Sequence, residues 1–224
     1  MKSILKTYQR IITGALLIPV VLSLSACGEP ENRSRAVYML LDTSGTYTRQ
    51  LDKASHIISY LLMSLDSGDS LAVARIDSGS FSEKDIIERT TFDDRPSVAN
   101  TQKRKFRGVM DEFVKTARSS AYTDISGGML QAVEWLKETG AGDKTILIFS
   151  DLKEELAKGQ IRKFELQLDG VRVVALNVTK LSTDNIDPRE YLTRVDDWQR
   201  KVLKGGGSWK VINDLEKVDN LLAG

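Results

Sequence analysis

Ala36-Val37-Tyr38-Met39-Leu40-Leu41-Asp42-Thr43-Ser44-Gly45-Thr46 decides the fold. A near-continuous apolar run leads straight into an aspartate, three hydroxyl side chains and a glycine. Such a run suits a strand buried on both faces, as in the middle of a parallel sheet. The polar residues then fall at the strand's carboxyl end, where open α/β sheets bind their ligands.

Outward from this stretch, helical and extended patterns alternate. Leu51, Ala54, Ile58, Leu61, Leu62 and Leu65 recur at helical spacing, residues 71–76 read as a strand, and 85–92 as a weaker edge strand. Helices are predicted over 101–117, with Phe106, Met110, Phe113 and Val114 on one face, and from Ile125 to about Gly140. Thr145-Ile146-Leu147-Ile148-Phe149 is the clearest buried strand. A helix is expected within 154–166, then a strand over 171–178. Asp187-Pro188 opens a helix to about Leu203, with proline in its first turn. Gly205-Gly206-Gly207 stops it, before an edge strand over 209–212 and a short C-terminal helix. The alternation predicts a three-layer, doubly wound α/β fold, with a mostly parallel central sheet and helices on both faces.

The first 26 residues have a basic start (Lys2, Lys6, Arg10), an apolar centre over 11–22 and a small-residue end, the pattern of a secretory signal peptide. The apolar run is short for a bilayer span and contains Pro19. Leu24-Ser25-Ala26-Cys27 resembles the bacterial lipobox, which implies acylation of Cys27, the chain's one cysteine. The expected organisation is therefore a leader over 1–26, a lipidated tether over 27–35 and one domain over 36–224. Gly28 directly after the cysteine, in place of aspartate, implies the outer membrane of a Gram-negative envelope, with the periplasmic face favoured.

Without the leader's three basic residues, 29 basic face 31 acidic residues. That balance gives no electrostatic case for nucleic-acid binding, and Lys103-Arg104-Lys105 reads as a solvated helix face. A Ser-His-Asp triad would have to rest on His56 alone, in a helical stretch where a partly buried or surface position is the simpler expectation.

Three loops place side-chain oxygens at strand ends: Asp42-Thr43-Ser44-Gly45-Thr46, Thr123-Asp124 and Ser150-Asp151. Hydroxyls and carboxylates without histidine or thiol suit a hard cation such as Mg²⁺. Asp-x-Ser-Gly-Thr alone is equally the composition of a helix cap and turn. Taken together, the three loops resemble the metal-ion-dependent adhesion site of the von Willebrand factor A-type (vWA) family. Asp42, Ser44 and Thr46 match its Asp-x-Ser-x-Ser motif, with threonine in the last place, Thr123 its middle-loop threonine and Asp151 its late aspartate. The resemblance implies a site for Mg²⁺, with Mn²⁺ or Ca²⁺ as substitutes. Ser44, Thr46 and Thr123 would give hydroxyl oxygens, Asp42 and Asp151 would lie close by, and an acidic side chain of a partner protein would complete the shell. The function so implied is partner binding in envelope assembly or adhesion, without catalysis. The alternatives are a metal-assisted hydrolase on the same loops, for which Asp-x-Asp and Gly-x-Ser-x-Gly signatures are lacking, and a structural lipoprotein with a metal-free site.

Overall fold

The apolar run becomes β1 (Arg35–Asp42), whose side chains alternate between two cores. Ala36, Tyr38 and Leu40 enter one, Val37, Met39 and Leu41 the other. The computed structural model describes residues 32–45, 47–77, 82–178, 187–214 and 221. The chain divides after Asn32, and these elements belong to the unit Arg33–Gly224. The leader, Cys27, Thr46 and the helix expected after residue 212 lie outside the described residues. Among the described residues no helix is long and apolar enough to cross a membrane.

After β1 come α1 (Leu51–Ser64), β2 (Ser70–Ile76), β3 (Ile86–Thr91), α2 (Pro96–Thr116), α3 (Ile125–Glu138), β4 (Asp143–Phe149), β5 (Val171–Leu176), α4 (Pro188–Lys204) and β6 (Ser208–Ile212). The sheet order is β3-β2-β1-β4-β5-β6. Every pairing is parallel except β2 with β3. Residues of α1 and α2 pack on one face and of α3 and α4 on the other, giving the expected three layers. The strand pattern of 209–212 and the weak one of 85–92 both prove to be edges, as expected, and their burial is mixed. His56 is exposed on α1, as expected.

Two expectations need correction. Helix α2 begins at Pro96, five residues before the predicted start, with proline in its first turn; residues 96–100 carry little apolar periodicity to announce it. More consequentially, the crossover from β4 to β5 contains no helix. Parallel strands are usually joined through one, and one was expected within 154–166. Residues 161–168 instead alternate, with Arg162, Phe164, Leu166 and Leu168 turned inward and Ile161, Lys163, Glu165 and Gln167 outward. That period of two marks an extended strap. The triglycine gives it room: a Cβ on Gly205 would lie 2.4 Å from the Leu166 carbonyl oxygen, and Gly205 accepts a 2.7 Å hydrogen bond from the Leu168 N–H.

Close packing also fixes α3. A Cβ on Gly128 would sit 2.6 Å from Ile76 Cγ2 and 3.0 Å from Leu40 Cδ2, both on central strands. Gly128→Ala is therefore expected to destabilise the protein by about 1–3 kcal/mol through overpacking. Gly108→Ala, on the open face of α2 with nothing within 4 Å, should stabilise it by up to about 1 kcal/mol. Urea denaturation of the two variants checks both signs.

Candidate functional site

Asp42 ends β1 with its carboxylate fully buried. Each oxygen has a donor: the Ser44 N–H reaches Oδ1 at 2.8 Å, and Ser150 Oγ donates to Oδ2 at 2.7 Å. The hydroxyls of Ser44 and Thr123 also hydrogen-bond to it. Ser150 Oγ in turn accepts the Leu152 N–H at 3.1 Å. Leu152 adopts a positive φ of 66°, and its carbonyl takes a hydrogen bond from buried Trp198 Nε1 at 3.0 Å.

Backbone pairing stitches the three loops together. Ser120 N–H donates to the Thr43 carbonyl at 2.9 Å, bringing the loop before α3 beside the loop after β1. Thr123 and Glu155 exchange two hydrogen bonds, at 2.8 and 2.9 Å, joining that loop to the start of the strap. Asp42, Ser44, Thr123 and Asp151 therefore converge at the carboxyl ends of β1 and β4, as the sequence pattern predicted. The placement of Thr46 lies outside the described residues. Ser150, in the third loop but outside the motif's matched positions, is the hydroxyl that holds Asp42.

Burial at Asp42 pushes its pKa above the ordinary carboxylate value, only partly offset by Ser150, Ser44 and Thr123. Asp151 is 5% exposed. Burial first, and the nearby Asp42 charge second, raise its pKa to about 6, against the Lys153 N–H at 2.8 Å and the charges of Arg194 and Lys153. Among the described residues neither carboxylate forms an ion pair, and no three His, Cys, Asp or Glu side chains gather as a metal-ligating group. The donor set is thus two carboxylates without an ion pair among the described residues, plus hydroxyls. That chemistry fits a hard, oxygen-preferring cation.

The neighbouring carboxylate, Asp124, is treated differently. It is fully buried and caps α3 through the Gly127 N–H at 2.8 Å. Arg162 from the strap neutralises it at 2.6 Å. Glu154 accepts the Ser126 N–H at 2.6 Å and its hydroxyl at 3.1 Å, while Lys201 from α4 donates to Ser126 Oγ at 2.6 Å. Sequence reasoning missed this clamp, because its partners lie 28 to 75 residues apart and no local spacing announces them.

No protein-family model matches the chain, and no curated protein matches its sequence. Solved structures do match. A von Willebrand factor type A structure from Catenulispora acidiphila aligns with TM-score 0.53 at 12% identity, over 84% of this chain and 40% of that one. The fold is that of a vWA-type domain. The pilus adhesin SpaC from Lactobacillus rhamnosus GG, in its open conformation, aligns with TM-score 0.52 at 11% identity, over 85% of this chain and 29% of that one. A mutant of the PilB minor pilin from Streptococcus sanguinis gives 0.50 at 10%, over 88% and 61%. This chain spans less than two thirds of the length of each of these proteins. At such identities the likeness carries the vWA-type fold alone.

The two raised pKa values give the site its own contribution to the pH dependence of the metal-free protein. Between the ordinary 3.8 and about 6, folded Asp151 holds a proton that the unfolded chain has released. Asp151's contribution to stability therefore falls as pH rises through that window, and the loss is complete above it. Asp151→Asn keeps the acceptor for the Lys153 N–H and removes the titration. Relative to wild type, in EDTA, it should gain up to roughly 3 kcal/mol between pH 3.5 and pH 7. Denaturant midpoints across that range measure it.

Proposed function

We propose that this vWA-type domain binds Mg²⁺ at Asp42, Ser44, Thr46, Thr123 and Asp151, and through it captures an acidic side chain of a partner protein. The observation that carries the reading is the pair of buried carboxylates, Asp42 and Asp151, raised in pKa and without an ion-pair partner among the described residues, beside the hydroxyls of Ser44 and Thr123. Asp124, one residue from Thr123, has its own arginine. A bound Mg²⁺ would supply the missing positive charge and, through an exchangeable position, attract a carboxylate. The chain's own residues orient the donors: Ser150 fixes Asp42, and the Thr123–Glu155 pairing fixes the threonine loop.

The second part of the reading is location. Acylation at Cys27 would tether the domain to a bacterial membrane; Gly28 points to the outer membrane of a Gram-negative envelope, whose periplasmic face is favoured over the cell surface. A fold shared with proteins named as a pilus adhesin and a minor pilin supports a role in protein binding within the cell envelope, as assembly or adhesion. No feature among the described residues favours a hydrolytic reading over this one.

Calorimetric titration of residues 28–224 with Mg²⁺ and Mn²⁺ tests the cation. Wild type should give binding heat, and Asp42→Ala and Asp151→Ala should weaken it by roughly tenfold or more. An athermal wild type, at two temperatures, removes the metal-dependent mechanism. Pull-down from envelope extracts then tests capture. A partner retained by wild type in Mg²⁺ should be lost both in EDTA and with Ser44→Ala.

A further inference from the structure

Charge is unevenly spread over the two helical faces. On α4, Arg189, Arg200 and Lys204 each rest against an acid: Asp187, Asp197 and Glu165. On α2 the pattern is different. Arg104, Lys105, Arg107 and Lys115 are exposed on its solvent arc, opposite buried Ala99, Phe106 and Met110. Arg118 follows just past the helix end and is also exposed. Of these five, only Arg107 ion-pairs with an acid among the described residues, with Asp111. Glu112 is the other acid on that arc. Helical spacing gathers the basic residues along one side of a helix of 21 residues, about 31 Å long. Lys103 is the exception in its cluster: it turns inward, donating to the Leu65 carbonyl and lying over the Phe92 ring.

The base of α2 lies at the end of the sheet where the chain enters. Phe92, just before the helix, donates to the Asp69 carbonyl at 2.8 Å, and Asp69 also holds Arg35, the first residue of β1. With the acyl anchor proposed for Cys27, eight residues separate lipid from strand, a reach of at most about 28 Å. A basic face tethered that close to a bilayer meets it at high effective concentration.

We propose that the solvent arc of α2 is a membrane-docking face, which lays the domain on a bilayer carrying anionic phospholipid headgroups. The occupant follows from charge complementarity: several cations left without acid partners, on a face that offers no apolar wedge, attract a negative surface electrostatically. Docking this way leaves α4 and the strap facing the aqueous side, with the candidate site opening along the membrane plane. The docking face is independent of the cation reading; only its proximity to lipid draws on the proposed anchor.

The test uses the full chain in vesicles containing a headgroup nitroxide lipid, with a fluorophore at Asn100→Cys on α2 or at Leu192→Cys on α4, both exposed positions. On vesicles rich in phosphatidylglycerol, the label at 100 should be quenched about threefold more than the label at 192, and the gap should close on neutral phosphatidylcholine or in about 0.5 M salt. Arg104→Glu with Lys105→Glu should also close it, while Lys163→Glu on the opposite face should not. Because all three positions are exposed, folding is expected to survive, and circular dichroism confirms it. Equal quenching of the two labels on anionic vesicles overturns the proposal. So does a gap that survives neutral lipid or charge reversal, which would make the tether and not headgroup charge its cause. Repeating the measurement in EDTA separates this outcome from failure of the cation reading.

Discussion

The structure turns on one buried carboxylate. Asp42 ends the central strand of a six-stranded sheet with no exposed surface, and a charge placed there must be hydrogen-bonded or it is expelled. The donors come from three chain segments: the loop after β1, the loop before α3 and the residue after β4. Satisfying one side chain therefore requires three loops to close over the same strand end. The backbone pairings Thr43–Ser120 and Thr123–Glu155 are how they do so.

That closure explains why the crossover after β4 is a strap. A helix buries its stripe and keeps its backbone bonds to itself, whereas an extended segment can reach sideways. Glu154 and Arg162 both reach the start of α3, from positions eight residues apart on the strap. Arg162, Phe164, Leu166 and Leu168 meanwhile face inward as a strand's residues would. The apolar residues over 154–166 are too sparse to settle a period, which is why a helix was expected there. The deciding contacts, to Asp124 and Gly205, come from distant parts of the chain.

Much else was legible locally. β1 and β4 announce themselves as unbroken apolar runs because both faces of a central strand are covered. β6 and β3 announce themselves weakly because edges are half wet. The convergence of Asp42, Ser44, Thr123 and Asp151 was legible because each sits at the carboxyl end of a strand or just before a helix, and parallel topology brings such ends together. Their chemical inequality was not. Nothing in the order Thr123-Asp124 says that the aspartate receives an arginine from 38 residues away, or that Asp42 and Asp151 receive hydroxyls and amides instead.

That inequality separates structural acids from the acids of the site. Asp124 is neutralised internally, so α3 is capped without regard to what else is bound. Asp42 and Asp151 are hydrogen-bonded but form no ion pair among the described residues, and their raised proton affinity is the mark of the difference. A built-in lysine or arginine would have stabilised the domain and closed the site to any added cation. Whatever binds only the folded state adds its binding energy to folding, so a cation held by these two carboxylates, as proposed, would stabilise the domain. The raised carboxylates thus lie where the strand ends and the loops meet, while Asp124, paired with Arg162, stands apart from them.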